Sequence, residues 1–307
     1  MIVPIIITGR EASIMKLNDL KYYQALVKYK NFSQVAAKFN VSQPTITMAI
    51  QRLEKDFDTS FFVRDHVHKQ LHITPTGKQF AVHVDVILNE LKIAHQEINQ
   101  AESSSIRFGL PPIIGNYYFP PLTPLLMREG LLSHLETSEH GSKEILKMLK
   151  HGNIDMALLG SLNPLKEVGL KTTELAEYPF KIIVSKHHPL ATKKEIDFVT
   201  LKNERFIVPD TEFFHEQAFK QISHLAHFRP QVIYRTADIH VIKTMVAENL
   251  GIAYLTSLAI TPEDNIHSLN VTSPLKQSFR LSAVTRSTEL LTAPKQKLWD
   301  LLTTKKE

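Results

Sequence analysis

The stretch FSQVAAKFNVSQPTITMAIQRLE, Phe32 to Glu54, decides the fold of the first part of the chain. Ser33 is positioned to cap a helix that runs to Phe39. Asn40 then supplies a residue that tolerates positive φ. Ser42 caps a second helix with Pro44 in its first turn, where a missing N–H costs nothing. Val35, Phe39, Val41, Ile46 and Ala49 fall where two steeply crossed helices touch, and Ala36 is small where their backbones come closest. This is the pattern of a helix-turn-helix, whose second helix enters the DNA major groove. The face left over carries Ser42, Gln43, Pro44, Thr45, Thr47, Met48, Gln51 and Arg52, with Ser33 beside it. Those residues offer donors, acceptors and methyl groups suited to base edges and phosphates. A polar exposed face on a small helical bundle has the same pattern, so flanking features must decide.

Working outward, Leu20, Tyr23 and Val27 recur at helical spacing behind Asp19, a candidate cap for a preceding helix. On the other side, SFFVRDHVHKQLHIT (Ser60 to Thr74) has two apolar-rich extended pieces around a polar turn, the pattern of a β-hairpin wing. Arg64 and Lys69 are placed there to meet phosphate. Thr74 caps a long helix with Pro75 at its first position, and Thr76 follows in the first turn. Phe80, Val84, Ile87, Leu91, Ala94, Ile98 and Ala101 then repeat with 4-3 spacing, which predicts a coiled-coil seam and a dimer. A dimer places two recognition helices on one face, the arrangement that reads two-fold symmetric sites.

Composition narrows the classes. The 307 residues suit one large or two medium domains, and 43% apolar with 22% charged residues is near the globular average. The chain has no cysteine, which excludes disulfides, thiolate metal sites and thiol nucleophiles. No apolar run reaches the ~18 residues of a membrane span. MIVPIIITGR has neither the basic start nor the cleavage site of a signal peptide, so a cytoplasmic protein is expected. Between Lys16 and Lys78 stand ten Lys and Arg against five Asp and Glu, which accounts for the whole net charge of +5. A basic module on a neutral remainder fits a polyanion partner.

From Ile106 the pattern changes to alternating strands and helices, the α/β signature. IRFGL, HLETSEH and IDMALLGS are strands, and GSKEILKMLKHG is a helix between the last two. FKIIVS, RFIVP, PQVIYRT and GIAYL belong to a second unit, with a helix from Asp238. FRLSAVTR returns to the first unit, before a closing helix with Leu298 and Trp299. Ligands of open α/β sheets sit beyond strand carboxyl ends. The candidate ends are at Pro111 to Asn116, Gly141-Ser142, Gly160-Ser161, Pro209-Asp210 and Asp238.

The segments AAKFNVSQPTITMAIQRLEKDF (Ala36 to Phe57), FFVRD (Phe61 to Asp65) and LHITPTGKQF (Leu71 to Phe80), taken in order, resemble the LysR-type transcriptional regulators. The resemblance runs from Lys16 to Leu302. GLPPIIGNYYFP (Gly109 to Pro120) is similar to the organic-acid regulators of low-GC Gram-positive bacteria, malolactic-type activators among them. The family pattern has Ser-Arg where Thr47-Met48 stand, Gly at Asp58 and Leu at Phe61.

The resemblance implies an N-terminal extension over 1–15 and a winged helix-turn-helix over 16–74. A linker helix and hinge over 75–105 and a two-lobed effector domain over 106–302 follow, similar to periplasmic binding proteins. Lobe I takes about 106–178 and 269–302, lobe II about 179–268. Either Met1 or Met15 is the expected initiator. The family places an inducer cleft at Pro112, Ile113, Gly115, Asn116, Pro209 and Asp210, to which the strand-end reading adds Pro111, Gly141, Ser142, Gly160, Ser161 and Asp238. Double-stranded operator DNA, RNA polymerase and a second copy of the chain, with tetramers built from dimers, are the partners implied. The effector that the resemblance implies is a small organic acid.

Two other classes compete. A solute-binding protein of a transport system shares the two-lobed pattern but lacks the N-terminal module. An enzyme needs a catalytic constellation, and there is no GxSxG, P-loop or GxGxxG. The histidine pairs His66/His68, His187/His188 and His224/His227 lack a third ligand at fixed spacing, so neither metal nor cofactor is expected. His224 and His227 read as sharing a helix, and Glu174 and Glu177 as part of a helix-like or loop stretch.

Overall fold

The computed structural model describes residues 15–64, 70–100, 103–210, 214–273 and 275–304, and of Arg64 the backbone alone. The wing turn with Lys69, His66 and His68, the heptad residue Ala101 and residues 1–14 lie outside them. The chain divides into two compact units between Gln96 and Glu97.

In the first unit, α1 (Leu17–Tyr29), α2 (Phe32–Phe39) and α3 (Gln43–Asp56) precede a hairpin of β1 (Phe62–Arg64) and β2 (Leu71–Ile73), then α4 (Pro75–Asn99). Asp19 does not cap α1 from outside. It sits in the first turn and accepts the Lys16 N–H at 3.0 Å. The cap of α2 is Asn31 rather than Ser33, its Oδ1 accepting from the Gln34 N–H at 3.0 Å. Asn40 takes φ +51° at the turn and Ser42 caps α3 by accepting from the Thr45 N–H. The helices bury Leu20, Tyr23, Leu26, Val35, Ile46, Ala49 and Leu53 against Phe61 and Phe80. Phe61 and Phe80 stack at 4.5 Å, with Tyr23 edge-on to both. Each such ring stabilises by about 1.5–3 kcal/mol through burial. The Tyr23 hydroxyl donates to the Gly77 carbonyl at 2.7 Å, and burial raises its pKa well above the tyrosine range. A side chain at position 77 would strike the Phe61 carbonyl at 2.4 Å, so α4 and the wing require glycine there.

The heptad reading of α4 needs correction at its start. Phe80 and Val84 are fully spent in this intrachain core and are not seam residues. The large apolar residues that α4 leaves exposed are Val82, Val86, Ile87 and Ile98; of the other predicted seam residues Ala94 is exposed and Leu91 half-buried.

The second unit begins with β3 (Ile106–Leu110), α5 (Pro112–Tyr117), α6 (Thr123–Arg128), β4 (Leu135–Glu139), α7 (Ser142–Lys150) and β5 (Met156–Ser161). β6 (Leu170–Ser185), β7 (Glu195–Asp197), β8 (Arg205–Pro209), α8 (Phe214–Leu225), β9 (Gln231–Thr236) and α9 (Ile239–Ala247) follow. The chain closes with β10 (Ala253–Thr256), β11 (Ile266–Thr272), β12 (Ser278–Arg286) and α10 (Ala293–Thr303). In lobe I the order is β4-β3-β5-β12-β6, with β3 parallel to β4 and β5 and β12 antiparallel to β5 and β6. In lobe II, β6 carries β10 and β11, β7 lies parallel to β11, and β8 pairs β9 in parallel.

β6 therefore serves both lobes, changing partners between Pro179 and Phe180. The second crossing lies between Thr272 and Ser278, not at 269, because β11 stays with lobe II to Thr272. Glu174 and Glu177 are β6 residues paired with Arg280, at 2.9 and 3.2 Å. α8 stops at Leu225, and His227 lies beyond it at φ +55°, so His224 and His227 share no helix face. Lobe I also buries an ion cluster. Lys295 lies 3.3 Å from Asp155 and 2.6 Å from Glu289, and Arg286 joins Glu289 to Glu97. Burial alone would raise the Asp155 pKa, but hydrogen bonds from Arg107 outweigh it and hold the carboxyl below its usual range.

Candidate functional site

Two sites are built, one in each unit. In the first, Ser42 fixes the N-terminus of α3, and the buried stripe of Ile46, Ala49, Ile50 and Leu53 turns the opposite face outward. Ser42, Gln43, Pro44, Thr45, Met48 and Gln51 are exposed on that face, Met48 at 58%. Ser33, also exposed, donates to Gln43 Oε1 at 3.1 Å and orients its amide. Thr47 is half-buried and donates to the Gln43 carbonyl. Thr74 caps α4, accepting from the Gly77 N–H at 3.0 Å and donating to the Ser60 carbonyl, and the exposed Thr76 lies 2.9 Å from it. Glu54 accepts from the Phe61 and Phe62 N–H groups and so ties the wing to α3. Arg64 holds its place in β1 opposite Leu71.

Arg52 departs from the sequence reading. Its guanidinium is bound to Asp19, Nη2 at 2.6 Å and Nε at 3.1 Å, and Asp19 is only 1% exposed. The residue that looked like a base or phosphate contact locks α3 to α1. Its hydrogen bonds to Asp19 raise its pKa further.

In the second unit a cavity of about 190 Å³ opens between the lobes. Pro112, Ile113 and Asn116 of α5 line it from lobe I. His215 of α8 and Ala237, Asp238 and Ile239 line it from lobe II. Four predicted residues thus meet: Pro112, Ile113, Asn116 and Asp238. Asp238 caps α9, its Oδ1 accepting from the His240 and Val241 N–H groups.

Other predicted residues have structural work and do not line this cavity. Pro111 is buried as the cap of α5. Gly115 faces Glu139 of the adjacent strand end. Gly141 caps α7, and Ser142 accepts the Gly160 N–H. A side chain on Gly160 would strike the Phe279 ring at 2.2 Å, and Ser161 donates to the Asn163 carbonyl. Pro209 is buried at the end of β8, and the Asp210 N–H donates to the Thr236 carbonyl.

His215 was not predicted. It is 2% exposed, with its ring 5.4 Å from Phe180 and 6.0 Å from Phe279. Burial lowers its pKa to about 4, so the imidazole is neutral at physiological pH. No signal in the sequence separates this histidine from a solvated one, because its burial comes from β6 and β12, far away in the chain. Lys243 of α9 lies 4.7 Å over the Tyr117 ring of α5, a second contact between the lobes. Among the described residues no group of three His, Asp or Glu could hold a metal, and no helix is long and apolar enough to cross a membrane.

A winged helix-turn-helix and a two-lobed α/β domain with an inter-lobe cavity, joined in one chain, define a ligand-responsive DNA-binding regulator. Family models agree. The bacterial regulatory helix-turn-helix of the lysR family matches residues 17–78, and the LysR substrate binding domain matches 99–306. The chain belongs to the LysR family of transcriptional regulators.

It is 32% identical over 293 residues to the malolactic fermentation system transcriptional activator of Lactococcus lactis, covering 95% of this chain and 99% of the relative. It is 25% identical over 253 residues to a hydrogen peroxide-inducible genes activator of Dickeya chrysanthemi, covering 81% of each. Full-length OxyR from Pseudomonas aeruginosa has a similar structure, with TM-score 0.54, 22% identity, and coverage of 95% of this chain and 94% of that one. The regulatory domain of Synechocystis CcmR in complex with 2-PG gives TM-score 0.56 at 18% identity, covering 65% of this chain and 96% of that one. At these identities the structural likeness speaks for the fold alone.

Proposed function

We infer that this regulator acts in the cytoplasm as a homo-oligomer and that its effector is a small organic acid bound between the lobes. The observation that carries the reading is the cavity shared by α5 of lobe I and the α8 and α9 region of lobe II. A ligand touching both walls binds one lobe arrangement better than another, and it shifts the population by that difference. The name of the Lactococcus relative supports an organic acid of fermentation as the chemical class.

In this reading the exposed face of α3 meets the major groove and the threonines around Ser60 and Thr76 meet phosphate. The heptad positions of α4 that lie outside the intrachain core, Ile87, Leu91, Ala94 and Ile98, supply a dimer seam. Dimers pair into tetramers, and the effector changes how they hold DNA and present it to RNA polymerase. The test is a gel-shift titration on DNA upstream of the gene at two salt concentrations, with and without a panel of organic acids. Specific binding that weakens steeply with salt and changes with one acid supports the reading. Specific binding indifferent to every acid refutes the effector class.

A further inference from the structure

His215 lines the cavity between the lobes and carries a buried ring nitrogen without a hydrogen-bond partner among the described residues, one that a ligand reaches when the lobes shift. The atom is Nε2, which neither accepts from nor donates to any described residue. A buried nitrogen in that state is destabilising, and its cost is removed when a ligand supplies the missing bond. The ring's packing does not explain the residue. Phe180 meets it edge-on and Phe279 lies beside it at 30°, so a phenyl ring would fill the same space without an orphaned atom.

Among the described residues, the other polar side chains lining the cavity are Asn116 and Asp238, and neither Lys nor Arg lines it. A fully charged pair with a ligand carboxylate is therefore not how this wall reads its ligand. A hydroxyl both donates and accepts, so it satisfies Nε2 in either tautomer of a neutral imidazole. Asp238 accepts as well and favours a donor on the same ligand. The Asn116 amide can donate to a carboxylate from the opposite lobe. The volume, about 190 Å³, admits a small ligand, and three- and four-carbon acids are the size tested.

We propose that His215 is the specificity-determining residue of this cavity, hydrogen-bonding through Nε2 to the hydroxyl of a small hydroxy acid. This rests on the organic-acid reading above and names the substituent that is recognised. The ligand so held spans both lobes, since His215 belongs to lobe II and Asn116 to lobe I.

The test uses calorimetric titration of the full-length protein with acid pairs that differ by one hydroxyl: L-lactate with propionate, and L-malate with succinate. Wild type is expected to prefer the hydroxy member of at least one pair by on the order of tenfold or more. His215→Phe keeps the aromatic packing and is expected to bring the two members of that pair within about twofold, chiefly by weakening the hydroxy acid. His215→Met, which also lacks a hydrogen-bonding atom, carries the same test if the phenylalanine variant does not fold. A wild-type preference retained in the folded variant overturns the role of His215 and leaves the organic-acid reading standing. Equal binding of both members by wild type overturns hydroxyl recognition alone. No binding of any of the four acids by wild type overturns this proposal and removes the support it takes from the organic-acid reading.

Discussion

Replacing Arg52 with alanine separates a fold role from a DNA role, and the structure gives the size of the effect. The Asp19 side chain is 2% exposed, that of Arg52 30%. Alanine removes two charge-assisted hydrogen bonds from a carboxylate that keeps only the Lys16 N–H. Removing one partner of a buried pair costs about 3–5 kcal/mol because the other charge is left uncompensated. Water can enter where the partly open guanidinium stood, so the lower end, about 3 kcal/mol, applies. For a unit of this size that corresponds to a melting shift on the order of 10–20 °C. The assay is thermal and urea unfolding followed by far-UV circular dichroism for Arg52→Ala, Asp19→Ala and the double variant. A coupling energy near 2 kcal/mol is expected between the two sites. If Arg52→Ala melts within about 2 °C of wild type and shows no coupling, while operator affinity collapses, the structural assignment is wrong.

The remaining predictions test other links. Gln43→Ala should weaken operator binding by on the order of tenfold with oligomeric mass unchanged, and equal affinity in gel shifts would remove it from the reading face. Ile98, 73% exposed on α4, should dissociate the oligomer when changed to aspartate, and sedimentation at wild-type mass would refute the proposed seam. Asp58 stands at φ +47°, where glycine carries no penalty, so Asp58→Gly should raise stability by about 1 kcal/mol in urea unfolding, and a loss would contradict the strain. The His215 pKa is depressed from 6.5 to about 4, so between those values the unfolded state binds a proton that the folded state refuses, and stability falls as pH drops. Taking the effector unit from pH 7 to pH 5 should cost about 2 kcal/mol from this residue, and His215→Phe should abolish that part of the loss.

The local signals in the sequence were strong where one residue decides one feature. Ser42 as a cap, Asn40 at positive φ, the Thr74–Pro75 start of α4 and the alternation of strands and helices after Ile106 all act within a few residues. Long-range packing was another matter. Phe80 and Val84 fit a heptad by spacing, but the wing and α1 lie against them, and the spacing carries no record of that neighbour. Arg52 has the residue type of a DNA contact, and only the crossing of α1 over α3 reveals that Asp19 claims it. Gly160 looked like a ligand-facing strand end, while its reason is the Phe279 ring. His215 was invisible because β6 and β12, far from it in the chain, bury it.

The unbroken run of β6 sets the mechanics of the effector domain. Its 16 residues, roughly 50 Å of extended chain, pair with β12 as far as Pro179 and with β10 from Phe180, so no slack residue separates the two ladders. Such a strand has the geometry of a torsion bar rather than of a loose hinge. Any motion of the lobes would be spread as twist along this strand rather than concentrated at one residue.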